Sequence, residues 1–281
     1  MRPCRDWRCV MKDHSKSVAI VTGAASGIGR ELATLLAVRG YRLALADIDA
    51  LGLDRHAENL RKRHDCEVQT FVVDLARAAA VKDLAGTLHT TYGQDLALLI
   101  NNAGIALGGS FDAVDEAAFD ACMQINFGAP VQLVRSLLPA LEAGSGGWIV
   151  NVSSIFGIVA PPRQTAYSAS KFALRGFSEA LTHELADNRN IGVTTVFPGG
   201  VKTGIAKNAR VPVGADPAAR ERQVAAMEKK LTLAPQSAAE LILDAVDRRS
   251  ARVLVGKDAR LAEKIQRLLP GSYWKIIGRS T

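Results

Sequence analysis

Along the chain, short apolar runs rich in β-branched residues alternate with stretches whose apolar residues recur at helical spacing. The runs are SVAIVTG, YRLALAD, CEVQTFVVD, DLALLIN, GGWIVNVSS, IGVTTVFPG and ARVLVG. Each is apolar almost throughout rather than at alternate positions, which is the pattern of strands buried on both faces. Between them, GRELATLLAVRG places Leu32, Leu35 and Leu36 on one helical face. Strand and helix alternating in this order predict an α/β fold, a doubly wound parallel sheet of about seven strands with helices on both sides. With no solenoid repeat and no low-complexity linker, residues 17–255 read as one domain. Gly204, Pro212, Gly214 and Pro217 interrupt the alternation, so the stretch 199–233 reads as a lid carried over a site.

Composition removes several classes of function. The chain of 281 residues is 48% hydrophobic with 24 glycines and 10 prolines, which excludes disorder. Cys4, Cys9, Cys66 and Cys122 form no CxxC pair and have no histidine cluster beside them. Neither a disulfide framework nor a metal site is therefore expected, and a cytoplasmic location suits the thiols. The net charge of +7 lies at the ends: residues 1–16 carry five Lys/Arg against two acids, and residues 256–281 carry six against two. The neutral middle gives no basic groove, so nucleic acid is not an expected partner. MRPCRDWRCVMKDHSK lacks the apolar segment of a secretory signal, and Asp6 and Asp13 count against a transit peptide. Residues 1–16 read as a disordered extension, and Met11 is a possible second start.

Directly after the first strand, TGAASGIG (Thr22 to Gly29) opens onto a helix. Strand, glycine-rich turn and helix N-terminus together let backbone N–H groups approach a pyrophosphate. Gly23, Ser26, Gly27, Ile28 and Gly29 are the candidate cradle, and a simple tight turn is the competing reading. Asp47 ends the second strand, where a carboxylate can accept the adenosine ribose hydroxyls and repel a 2′-phosphate. It favours NAD over NADP as cofactor, unless Asp47 instead caps the next helix as its neighbour Asp49 could.

YSASK places Tyr167 and Lys171 one helical turn apart, on the same face. A cation about 5 Å from a phenol, at an effective dielectric near 20, favours the phenolate by roughly 3 kcal/mol, about two pKa units. That argues for a tyrosine tuned toward neutrality and able to exchange a proton with an alcohol or ketone. Alone, the spacing would describe an ordinary surface helix.

It stands with Ser154 at the end of WIVNVSS, NNAG at the end of DLALLIN, and Asn126 in the following helix. With TGxxxGxG ahead of them, these motifs in this order resemble the short-chain dehydrogenase/reductase family, from about Val18 to Val255. The resemblance implies a Rossmann-type sheet and an NAD(P)-dependent oxidoreductase interconverting a secondary alcohol and a ketone. By that resemblance Tyr167 is the general acid/base, Lys171 lowers its pKa and holds the nicotinamide ribose, and Ser154 hydrogen-bonds the reacting oxygen. Ser153 is the rival serine. Asn126 would hold a water in the proton relay. Asp74 and Leu75 would meet the adenine, and Asn102, Ala103 and Gly104 the adenosine side. The loop Pro198, Gly199, Val201 and Thr203 would contact the nicotinamide carboxamide. No metal is required.

The resemblance also implies a homodimer or homotetramer through helix 116–142 and the helix bearing Tyr167. The stretches Ile105 to Phe111, SIFGIVAPP and 199–233 should wall the substrate pocket, and the first two are apolar, which suits a hydrophobic alcohol or ketone. Lys202, Lys207 and Arg210 would instead suit a carboxylate or an acyl-thioester carrier, the latter pointing to a 3-oxoacyl thioester reductase. A non-catalytic NAD(H)-binding redox sensor or scaffold is the alternative from another class, and a transient-hydride epimerase or dehydratase a third. Residues 256–281 form a basic amphipathic C-terminal extension, in which DARLAEKIQRLL sets Leu261, Ile265 and Leu268 on one face. That face either covers the protein's own core or a neighbouring subunit, or makes peripheral contact with an anionic membrane.

Overall fold

The computed structural model describes residues 14, 16–144, 146–188, 190–211 and 217–278. Most of the N-terminal extension, with Cys4, Cys9 and Met11, lies outside the described residues, as do Pro212 and Gly214 of the expected lid.

All seven apolar runs are strands: β1 (Val18–Thr22), β2 (Arg42–Asp47), β3 (Val68–Val72), β4 (Leu96–Asn101), β5 (Gly147–Val152), β6 (Ile191–Pro198) and β7 (Arg252–Val255). They form one parallel sheet in the order β3-β2-β1-β4-β5-β6-β7. The chain winds outward from β1 to β3, then returns to set β4 against the other side of β1. That reversal opens a crevice beyond the C-terminal ends of β1 and β4, where sheets of this kind bind ligands.

Helices α1 (Gly27–Val38) and α2 (Ala50–His64) cover one face of the sheet. On the other face lie α3 (Ala78–Tyr92), the continuous segment α4 (Glu116–Met123) to α5 (Ala129–Ala143), and α6 (Thr165–Glu184). Leu32 and Leu36 of α1 are fully buried on the first side, with Leu35 packed at their edge. Helix 116–142 of the sequence reading is real but not uniform, because Gln124–Gly128 between α4 and α5 forms a π-helical turn. Such turns often mark functional positions, and this one contains Asn126.

The lid stretch returns to the domain through single bridges, Leu107 with Arg210 and Val201 with Leu233. Between them runs α7 (Pro217–Lys230), a helix opened by Pro217, which the proline and glycine pattern did not reveal. The next helix, α8 (Pro235–Asp247), joins α1 and α2 on their face of the sheet.

The C-terminal extension folds back as α9 (Lys257–Leu268) and α10 (Tyr273–Ile277). Its packing reverses one expectation, that the leucine face covers core. Ala259 and Ala262 face the domain, while Leu261 is 59% and Leu268 79% exposed and only Ile265 of the expected face is half-buried. Arg252 of β7 pairs with Glu263 at 2.7 Å, turning that side of α9 inward. Tyr273 and Ile277 of α10 pack near Ile158 and Val159, and the Tyr273 hydroxyl accepts the Ala160 N–H at 3.0 Å.

Candidate active site

At the end of β1 the chain turns through Gly23 at φ +67, where a Cβ would come within 2.8 Å of the Ala103 Cα. Gly27 also has positive φ, at +56. These conformations admit glycine without strain and bring the turn against the NNAG segment. Thr22 fastens the two together. Its Oγ1 accepts the N–H groups of Asn102 and Ala103 at 3.0 and 3.1 Å, and the Asn102 side chain donates to the Thr22 carbonyl at 2.9 Å. Ser26 stands at the N-cap of α1, yet its side chain makes no capping bond, so the first-turn N–H groups face the cleft unclaimed by it. Open backbone donors at the positive end of a helix suit a pyrophosphate.

Asp47 sits beside this turn. One carboxylate oxygen accepts the Ala25 N–H at 2.9 Å and the other the Asp49 N–H at 3.0 Å. Capping of α2 falls to Asp49, which accepts the Gly52 N–H at 3.0 Å. Each Asp47 oxygen retains acceptor capacity toward the cleft, so the residues present fit a dinucleotide. Gly29 does not line the cleft. A Cβ there would run into the Gly23 carbonyl, so its role is to let helix and turn close together.

On α6, Lys171 Nζ lies 5.9 Å from the Tyr167 ring centroid and donates to the Val152 carbonyl at 2.9 Å. Tyr167 and Ser154 line the same end of the cleft, and the Phe156 ring meets Tyr167 edge-on at 5.9 Å. Ser154 Oγ accepts the Phe156 N–H at 3.1 Å. Ser153, the rival serine, is turned away: its hydroxyl donates to the Lys171 carbonyl at 2.9 Å.

The expectation that Lys171 draws Tyr167 toward neutrality is reversed in the protein alone. Burial pushes the Tyr167 phenol up to about 12, against the lowering effect of the nearby Ser154 hydroxyl. Burial likewise brings Lys171 down to about 8. Both groups share one poorly solvated environment, in which the cost of forming either charge exceeds what they return to each other.

Asn126 stands behind the cleft wall, fully buried. Its Oδ1 accepts the Ile105 N–H at 2.9 Å, and its Nδ2 donates to the Ile105 carbonyl at 3.0 Å and to Ser170 Oγ at 2.9 Å. The amide is thus committed to protein partners, tying the segment after NNAG to α6, rather than pointing at a water in the cleft.

Apart from Asn126 and Gly29, every residue singled out for catalysis or cofactor binding borders one cleft of about 420 Å³, from Gly23 and Asp47 at one end to Ser154, Tyr167 and Lys171 at the other. Asp74, Leu75 and the loop 198–203 lie along it, with Ile105, Ala106, Ile205 and Leu231 adding apolar wall. The expected pocket walls hold only in part. Phe111 is 71% exposed, and Ile158 and Val159 pack instead against Phe197 and Ala262. Lys202 and Lys207 border an adjoining cavity that shares Gly27, Thr203, Gly204 and Leu231 with the cleft, with Lys207 3.3 Å from Glu228, whereas Arg210 lines the main cleft. Sequence reasoning passed over Thr22, whose place in the glycine motif was the available signal, and Asp258, for which there was none. Among the described residues no group of His, Cys, Asp and Glu could hold a metal, and no helix is long and apolar enough to cross a membrane.

A glycine turn at the β1–α1 junction, a carboxylate at the end of β2 and a Ser–Tyr–Lys group at the far end of one cleft define a dinucleotide-dependent oxidoreductase. The family model for short chain dehydrogenases matches residues 17–213. SadH of Mycobacterium tuberculosis, which carries the name of an oxidoreductase, is 37% identical over 276 residues, covering 95% of this chain and 96% of its own. Among solved structures, a short chain dehydrogenase/reductase from Burkholderia phymatum in complex with NAD matches with a TM-score of 0.83 at 28% identity, over 92% of this chain and 95% of that one. A short-chain dehydrogenase from Sphingobium yanoikuyae in complex with NADPH matches with a TM-score of 0.75 at 26% identity, over 93% and 95%. The chain belongs to the short-chain dehydrogenase/reductase family and, with it, to the NAD(P)-dependent oxidoreductases.

Proposed function

We infer that the protein interconverts a hydrophobic secondary alcohol and its ketone, with NAD(H) the preferred cofactor. The observation that carries this reading is the meeting of Ser154, Tyr167 and Lys171 at one end of the cleft that also holds the glycine turn and Asp47. When bound, the nicotinamide takes up or supplies the hydride. The chain's own residues handle the proton and the geometry. Ser154 holds the substrate oxygen, Tyr167 takes the hydroxyl proton in oxidation and returns it in reduction, and Lys171 offers positive charge as the phenolate forms. Asn126 acts as a positioning residue, holding the Ile105 segment against α6. Asp47 supports NAD because a 2′-phosphate would meet its carboxylate in a place already filled by Ala25 and Asp49 donors.

Ile105, Ala106, Ile205, Leu231 and the Phe156 ring favour an apolar substrate. One observation supports a second reading: Arg210 borders the same cleft, and its guanidinium would receive the anionic carrier of an acyl thioester. The reading carries with it a cytoplasmic homo-oligomer contacting through α5 and α6, where Phe172 remains 37% exposed.

The experiment is a panel of secondary alcohols and ketones of increasing apolar size, with acyl-thioester ketones included, assayed with both cofactors for wild type and Tyr167→Phe. Turnover should fall about 100-fold or more in the variant with NADH binding retained. Undiminished turnover would remove Tyr167 from its role. Cofactor binding without turnover on any substrate would instead favour the sensor or scaffold.

A further inference from the structure

The outward face of the C-terminal hairpin combines exposed apolar side chains with cations. Leu261 and Leu268, seven residues apart and so on one side of α9, are 59% and 79% exposed. Leu269, 40% exposed, and Ile276 of α10, 45% exposed, carry exposed apolar surface on along the hairpin. Lys257 and Lys264 each stand four residues before one of the two leucines, where an i, i+4 neighbour shares the face. Arg260 and Arg267 flank that stripe, and Lys275 lies on α10; all five cations are exposed.

Among the described residues, Arg267 alone of these five cations is paired with an acid of the segment. Asp258 accepts the Gly200 N–H at 2.6 Å, on the domain side. Glu263 is turned inward, its side chain 12% exposed, to Arg252 at 2.7 Å, with Arg267 reaching it at 3.3 Å. The inner face, where an amphipathic helix ordinarily spends its large apolar residues, is given to Ala259 and Ala262. The helix therefore meets its own domain through small side chains and an ion pair, and presents leucines edged by lysines to the outside.

We propose that this hairpin docks the protein on an anionic lipid bilayer, with Leu261, Leu268, Leu269 and Ile276 entering the headgroup boundary and the flanking lysines and arginines meeting lipid phosphates. Charge selects this occupant. A second copy seated here by a two-fold axis would set each cationic stripe against its own image, since such a contact brings the same patch together from both subunits. A neutral apolar partner would leave the cations uncompensated. An anionic bilayer satisfies both parts at once, because apolar side chains are buried to shallow depth while long cationic ones reach the phosphates. The docking is independent of the substrate assigned above.

The test is co-sedimentation of the whole protein with vesicles of phosphatidylcholine alone and of phosphatidylcholine mixed with phosphatidylglycerol. Wild type should pellet with the mixed vesicles only, and added salt should release it. Leu261→Asp combined with Leu268→Asp should lower the vesicle-bound fraction about tenfold or more, with unchanged melting temperature and NADH binding. Lys257→Glu combined with Lys264→Glu, at exposed positions that cannot compromise the core, should do the same. Failure of wild type to pellet, or pelleting of both double variants at the wild-type level, would overturn the proposal. So would light scattering in which the leucine variant, without lipid, changes oligomeric state, which would assign the face to contact between copies.

Discussion

The Asp258 carboxylate accepts the backbone N–H of Gly200 at 2.6 Å, joining the first turn of α9 to the loop that follows β6. A Cβ at the neighbouring Gly199 would fall on the same carboxylate, so the glycine makes room for the bond. That loop continues through Val201 and Thr203, which border the cleft. The C-terminal extension therefore supports cleft-lining backbone from outside the catalytic domain of the sequence reading. Replacing Asp258 with Ala should raise the cofactor KM roughly three- to tenfold, the worth of one net hydrogen bond, with kcat changed less. Asp258→Asn keeps an acceptor and should recover most of the loss. A lowered melting temperature with an unchanged KM would show that the bond serves stability alone.

The ionisation of Tyr167 in the cofactor-free protein is a second expected outcome. Its phenol is pushed up to about 12 by burial, so Tyr167 should contribute no phenolate near neutrality. The difference between the ultraviolet phenolate titrations of wild type and Tyr167→Phe should stay flat through the ordinary tyrosine value of 10.0 and rise only toward about 12. A rise near neutral pH would mean that the Lys171 charge outweighs burial before any ligand enters.

Asp47 is tested by its charge alone. Asp47→Asn keeps an oxygen to accept the Ala25 or Asp49 N–H, yet removes the repulsion toward a 2′-phosphate. The ratio of NADH to NADPH affinity should shift toward NADPH by roughly 30-fold, about 2 kcal/mol at a partly solvated site. Binding isotherms for both cofactors measure it. If wild type already binds NADPH more tightly, or the ratio does not move, Asp47 does not set the preference.

What could be read from the chain follows from how local the signals are. The inner strands were legible because burial on both faces leaves an unbroken apolar run, as in LALLIN of β4 and RLALAD of β2, whereas the edge strands β3 and β7 are only partly buried. The glycine turn and Tyr167–Lys171 were legible because their spacing is fixed by a single turn or helix. Three features depended on contacts distant in sequence and were not. Asn126 is committed to Ile105 and Ser170, 21 and 44 positions away, so its amide does not face the cleft. Asp258 reaches Gly200 across 58 positions. The inward face of α9 is decided by Arg252 and Glu263, whereas helical periodicity alone assigned that face to the leucines. The tuning of Tyr167 failed for a related reason: a pairwise Coulomb argument contains the neighbour but not the burial that both groups share.

Burying Lys171 leaves a cost that stability measurements can read as pH dependence. Its folded pKa falls from 10.5 to about 8, with burial the leading cause. Below pH 8 folded and unfolded chains both carry the ammonium, and the full cost of burying it is present. Between about 8 and 10.5 the folded chain has released the proton while the unfolded chain still holds it. More protons on the unfolded side mean that this residue's contribution improves as pH rises through that window, by about 3 kcal/mol in total. Lys171→Met keeps the apolar stem and has no such term. It also loses the bond to the Val152 carbonyl at 2.9 Å, which a neutral amine can still make, so that loss is the same at every pH. Denaturant midpoints of the cofactor-free proteins should therefore favour the variant most at neutral pH, and wild type should gain on it steadily from pH 8 to 10.5. Parallel pH curves for the two proteins would show that Lys171 is solvated or paired well enough to keep its ordinary pKa.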